Sequence, residues 1–264
     1  MREWAVNRFV AGIALVVVGF GAIIAGRFLS GSVPEEASPT ASVASAIAGG
    51  GAVPGGPIEA PAKASTPLPA LSSSDAEMRK ALSGLFGAEA IDAYLEPDGI
   101  VRHIVAFVDS LPRKHIGADA QPIKPIVGGF IATGDEQATP LSAENAAKYT
   151  PYVAVIRKVN PKLVSELYFH YRPLFQQAYE ELTKTDGRFD DRVLQAIDGL
   201  IDAPEIRDPV LVIRRDAFYE FVDPNLEQLS VGQKFMIRLG PDNAAAIKST
   251  LRALRASLVT ATSP

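Results

Sequence analysis

Around Pro173, inside the stretch NPKLVSELYFHYRPLFQQAYEEL (residues 160–182), lie the side chains best equipped for recognition chemistry: Tyr168, Phe169, His170, Tyr171, Arg172, Gln176 and Tyr179. Aromatic faces there suit a sugar or a peptide, and His170, Arg172 and Gln176 add hydrogen-bonding groups. A second reading is open for the same residues. Aromatics at helical spacing mark a core, and a buried tyrosine hydroxyl finds a polar partner. The first candidate ligand- or partner-binding set is therefore His170, Tyr171, Arg172, Gln176 and Tyr179. The second is a basic ridge near the C-terminus, Lys248, Arg252 and Arg255, which is either a solvated face or a partner surface.

Catalytic chemistry is harder to find. Glu180, Glu181, Asp190 and Asp191 cluster around one turn, and two carboxylates facing across a groove are the acid and base of glycoside hydrolysis. Asp190, however, reads as a helix N-cap and Glu181 as part of a solvated face. The chain has no Gly-rich phosphate loop, no HExxH and no GxSxG. His103, His115 and His170 lack metal-ligand spacing, so no catalytic residue, metal or cofactor is assigned. His103 and Asp109 are six apart on one helix and do not share a face. Without cysteine there are no disulfides, thiolate nucleophiles or cysteine metal sites. A net charge of −4, with no basic stripe, does not suit nucleic acid as a partner.

The elements that must hold these residues are mostly helical. Asn160 supplies a cap and Pro161 a first-turn residue for a long helix, whose apolar face runs through Val164, Tyr168, Tyr171, Leu174, Phe175 and Ala178. Pro173 removes a hydrogen bond from its interior, which predicts a bend or break. Ser74 and Glu77 form a capping-box pattern before a helix reaching Phe86, and Asp98 is placed to cap a helix ending at Pro112. Ser142, Asp190 and Ser230 are further caps, Pro151 and Pro241 open helices, and Asp223-Pro224 turns the chain. Residues 209–215, PVLVIRR, are the best strand, with residues 217–222 or 126–132 as the partner. The irregular region 112–139 is a candidate groove rim. The expected fold is mainly α, a multi-helix bundle-like domain with one or two short β-strands, over residues 73–259, with a short tail at 260–264.

Ahead of it, residues 9–26 carry no charge and are long enough for the hydrocarbon core of a bilayer. We read them as a single transmembrane anchor, because a signal peptide has a shorter apolar core closely followed by a small-x-small site. Arg2 and Arg8 precede the segment and Arg27 alone follows closely, which puts residues 1–8 in the cytoplasm. Ala22 and Gly26 form a small-xxx-small pair suited to a homodimer. Residues 27–72 are a Pro/Ala/Gly/Ser-rich disordered tether, whose stretch of about forty residues reaches up to ~120 Å in the polyproline limit.

Four segments carry a resemblance: PLPALSSSDAEMRKALSGLFG, LEPDGIVRHIVAFVDSLPR, YRPLFQQAYEEL and LSVGQKFMIRLGPDNAAAIKSTLRALR. In pattern and order, over roughly residues 66–258, they resemble the proteobacterial family catalogued as domain of unknown function 3014. The sharpest part is residues 171–182 together with Gln233-Lys234 and Gly240-Pro241. The resemblance implies a bacterial envelope protein with a membrane anchor, and it carries no catalytic residues. The expected function is a non-enzymatic interaction or scaffold module, anchored in the inner membrane and binding an envelope protein or cell-wall polymer in the periplasm. The alternative is a periplasmic enzyme acting on peptidoglycan or another envelope polymer through a carboxylate of the 180–191 region.

Overall fold

A computed structural model describes residues 67–114, 138–158, 160–215 and 218–260. The apolar segment 9–26, the tether to residue 66, His115 and the alternative strand at 126–132 lie outside the described residues.

The chain is mainly helical. A 3-10 turn, Leu71–Ser73, leads into α1 (Asp75–Phe86), α2 (Ala88–Tyr94) and α3 (Ile100–Ser110). Strand β1 (Thr139–Pro140) precedes α4 (Ala143–Ala147), α5 (Thr150–Ile156), α6 (Pro161–Thr183) and α7 (Phe189–Ile201). Strands β2 (Leu211–Arg215) and β3 (Phe218–Phe221) follow, then α8 (Pro224–Glu227), α9 (Val231–Arg238) and α10 (Pro241–Thr260). Helix α6 is the centre of the packing: it lies against α3 and α10, while α7 packs on α10, α9 and α3. Phe86, Phe107, Phe235 and Met78 are fully buried in this one large core. Among the described residues no helix is long and apolar enough to cross a membrane.

The three strands form one antiparallel sheet in the order β1-β2-β3, with Val212 opposite both Thr139 and Phe221. Beneath it Val212, Phe221 and Ile237 make a small separate cluster. The outer edge of β3 is closed by side chains: Phe221 N donates to Glu227 Oε2 at 2.8 Å, and Arg238 Nη2 donates to Tyr219 O at 2.8 Å. An edge blocked in this way offers little to an added strand.

Three expected caps form where sequence places them. Asn160 accepts from Lys162 N, Ser142 from Glu144 N, and Ser230 joins Gln233 in a capping box. Asp223-Pro224 opens the short helix α8 instead of a plain turn, with Asp223 as its cap. Other local expectations are corrected. Ser74 makes no cap; its hydroxyl donates back to Leu71 O at 2.9 Å. Leu71, assigned to the tether, is 4% exposed and belongs to the core. Asp98 does not cap α3, because Gly99 holds the cap position and the carboxylate of Asp75 accepts Gly99 N and Ile100 N, each at 2.8 Å. Asp190 lies inside the first turn of α7, after the N-cap Arg188. Finally, α6 runs unbroken through Pro173, held from two sides by α3 and α10.

Candidate functional site

The aromatic cluster on α6 is an internal polar network. Tyr171 is 6% exposed and its hydroxyl donates to Glu77 Oε1 at 3.1 Å. Burial, then the bond to Glu77, pushes the Tyr171 phenol up to about 12. Gln176 spans the turn between α6 and α7: its Nε2 donates to Gly187 O at 2.9 Å and its Oε1 accepts Phe189 N at 2.8 Å. Tyr179 packs on Phe189, with ring centroids 5.4 Å apart. Arg172 is committed to Asp190, and exposed His170 stands edge-on to Tyr171. Sequence reasoning nominated these five for ligand or partner binding, and the structure uses four of them to hold α6 to its neighbours.

Asp190 is the hub of that network. It accepts Tyr168 Oη at 2.6 Å, Arg188 Nη2 at 3.0 Å and the Arg172 guanidinium. Burial alone raises a carboxyl pKa, but these donors outweigh it and hold Asp190 below the usual carboxylate range. The Tyr168 phenol is pushed well above its ordinary value by burial and by its bond to Asp190. Glu181 is likewise held low, first by Arg102 and then by Gln177. A general acid needs the opposite shift.

The three basic residues near the C-terminus have separate roles. Lys248 is 3% exposed, and its ammonium donates to Ala203 O at 2.7 Å and to Glu205 Oε1 at 2.9 Å. The bond from Lys248 holds Glu205 low. Arg255 pairs with Asp198. Arg252 is exposed and the paired Arg255 side chain is 43% exposed, but Lys248 is buried, so the three do not form one solvated ridge.

A different region supplies the open concavity. A groove of about 910 Å³ runs between the helix pair α4–α5 on one side and, on the other, residues 206–210 with the α9–α10 junction. Its helix wall carries exposed Ala143, Ala147 and Ala154, and buried Val153, Ile237 and Leu239 lie beneath. Arg157, Arg207, Arg238, Asp208 and Asp242 supply its charge. Among the described residues no aromatic side chain lines it. The floor is rigid for clear reasons. Asn243 Nδ2 donates to Ala146 O and to Leu239 O, both at 3.0 Å, tying α10 to α4. Gly240 has φ +79 and a Cβ there would meet Ala146 Cβ at 2.9 Å, so the close approach needs glycine. Sequence reasoning missed this groove because its walls come from three separate stretches; the only local hint was the irregular, proline-flanked run between α7 and β2.

A second cavity, lined by apolar side chains of α3, α6, α7 and α10, measures about 50 Å³. That is a packing defect with room for one or two waters at most. Among the described residues no cluster of ligating side chains suits a metal ion.

The groove lies entirely within the part of the chain that matches a family model. That model, described as Protein of unknown function (DUF3014), matches residues 100–255. Comparison with the curated proteins and with the solved structures finds no match. The match covers more than half of the chain, which therefore belongs to the DUF3014 family.

Proposed function

We propose that this chain is a membrane-anchored interaction module of the bacterial envelope. Residues 9–26 hold it in the inner membrane with the N-terminus in the cytoplasm, and the helical domain docks a protein partner in the periplasm. The observation that carries the reading is the groove. It is of the size of natural ligand sites, rigid, and mixed apolar and charged. The enzyme reading loses support from Asp190 and Glu181, two of the four carboxylates nominated for acid chemistry, because both are stabilised as anions. A lining without aromatics among the described residues favours a polypeptide over a sugar polymer that stacks on rings.

Two experiments test it. The chain has no cysteine, so single cysteines report topology cleanly. Ser45→Cys is expected to react with a membrane-impermeant maleimide added to spheroplasts, and Glu3→Cys only after lysis. The reverse pattern overturns the orientation. A photo-cross-linking residue placed at Ala147 or Ala154 in the full-length protein in cells is expected to capture one defined protein, and the same group at Glu89 on α2 is not. Equal yields from the groove and from Glu89 would sink the groove as the docking site.

A further inference from the structure

The bend that joins α5 (Thr150–Ile156) to α6 (Pro161–Thr183) carries charge of one sign in a chain whose formal net charge is −4. Between Glu144 and Glu166 there is no Asp or Glu, while Lys148, Arg157, Lys158 and Lys162 all fall in that run. Arg157 is the C-cap of α5, Lys158 follows it, and Lys162 lies in the first turn of α6; all three are exposed. No ion pair or side-chain hydrogen bond among the described residues involves any of the three. Arg102, Arg172, Arg192 and Arg255, by contrast, each have a carboxylate partner. Beside the free cations stands Leu163, 46% exposed, the most exposed large aliphatic side chain among the described residues. Connectivity keeps the four together, since the six steps from Arg157 to Leu163 span at most ~22 Å even when fully extended.

Local stability does not account for this grouping. Arg157 and Lys158 complement the C-terminal end of α5, but a helix start favours carboxylates, and the first turn of α6 has no acidic residue and holds Lys162. Leu163 gains nothing from the water around it. A local rule broken on the surface is where function is expected. An anionic bilayer surface satisfies both features, because headgroup phosphates attract the cations and the interface beneath them accepts a leucine. A soluble polyanion satisfies the cations alone. The tether also leads here: the turn Leu71–Ser73, just inside the domain, packs on the same helix α6. A flexible link of this kind holds a domain at roughly millimolar effective concentration over its own membrane. Each cation near an anionic surface is worth about fivefold in binding, so three give on the order of a hundredfold. That is enough to bring a tethered domain down onto the surface.

We propose that the α5–α6 bend is a membrane-surface contact, in which Arg157, Lys158 and Lys162 bind the phosphates of anionic lipids and Leu163 enters the interface. This rests on residues 9–26 being a bilayer anchor. Arg157 also lines the groove, so the contact brings that wall of the groove to the membrane.

The test uses the full-length chain, which has no native cysteine, reconstituted in vesicles with an environment-sensitive fluorophore on Leu163→Cys. In vesicles of phosphatidylglycerol and phosphatidylcholine in equal parts, at low salt, the emission is expected to shift to the blue as the probe leaves water. The shift should be absent in phosphatidylcholine alone and lost at about 1 M salt, where the Debye length falls to about 3 Å. Lys158→Glu combined with Lys162→Glu should abolish it, and the same fluorophore on Glu89→Cys, in α2, should show none. All four substitutions fall on exposed residues, and thermal melting confirms that each variant is folded. The inference is overturned if emission is the same with and without anionic lipid, if charge reversal leaves the shift in place, or if soluble polyglutamate shifts the probe where anionic lipid does not. Flotation of the same vesicles separates the two readings. A chain that floats without a shift at Leu163→Cys keeps the anchor and loses the surface contact; a chain that does not float loses both.

Discussion

Replacing Asp75 with alanine should unfasten the start of α3 (Ile100–Ser110), a helix that begins 25 residues later in the chain. The half-buried carboxylate accepts two backbone N–H groups, Gly99 N and Ile100 N, each at 2.8 Å. An ordinary N-cap loss costs about 1–2 kcal/mol. Hydrogen bonds to a charged acceptor reach about 1.5–3 kcal/mol, and Asp75 also favours the first turn of its own helix by about 0.3–1 kcal/mol. A loss of about 2–3 kcal/mol follows, with a Tm lower by about 5–10 °C for a domain of this size. Asp98→Ala is the control, because the exposed Asp98 sits where sequence alone places the cap. It should change stability by less than about 0.5 kcal/mol. Asp75→Asn, which keeps one acceptor oxygen, should fall between them. The assay is urea unfolding of the full-length protein followed by circular dichroism, since the single tryptophan, Trp4, lies outside the helical domain. Equal losses from Asp75→Ala and Asp98→Ala would refute the long-range cap.

Other consequences can be checked in the same assay. A Cβ at Gly232 would meet Leu200 Cδ2 at 2.9 Å and Leu111 O at 3.3 Å, so Gly232→Ala should cost about 1–3 kcal/mol. Gly199 has nothing within 4 Å of its Cβ position, and Gly199→Ala in the interior of α7 should stabilise by about 0.5–1 kcal/mol. Lys248→Ala leaves the carbonyl of Ala203 without the ammonium it accepts from and should cost about 2–3 kcal/mol, whereas Arg252→Ala, at an exposed position, should stay within about 0.5 kcal/mol. Tyr171 titrates from 10.0 to about 12 on folding, so the folded state holds this proton more tightly. Its contribution is complete below pH 10 and is lost as pH rises toward 12; Tyr171→Phe should flatten that part of the stability profile. A profile with unchanged slope in the variant contradicts the assignment.

What could be read from sequence was what is local. The caps Asn160, Ser142 and Ser230 bind N–H groups two or three residues away, and each was found. The cap from Asp75 crosses 24 residues, and no sequence window contains both ends. Periodicity placed Tyr168, Tyr171 and Ala178 on the buried face of α6, but it gave no sign that Asp190 gathers Tyr168, Arg172 and Arg188. Lys248 was misread for a related reason. It lies between Ala244 and Leu251 on the inward face of α10, and only the fold brings it to the Ala203 carbonyl that makes burial of an ammonium tolerable. Pro173 was read as a bend or a break because the cost of the missing hydrogen bond is visible in sequence, while the support from α3 and α10 that keeps the helix unbroken is not. The groove was the least legible feature, since its walls meet only after β2, α5 and α10 have packed.

The account turns on the groove being where a partner sits. The most direct measurement is photo-cross-linking from Ala154 in the full-length protein in its own membrane, with and without Ala147→Trp. A single protein of defined identity, captured from Ala154, absent from Glu89 and lost when Ala147→Trp fills the groove, is the predicted result. Capture from Ala154 that persists undiminished with the groove filled, or the same adducts from Glu89, contradicts it.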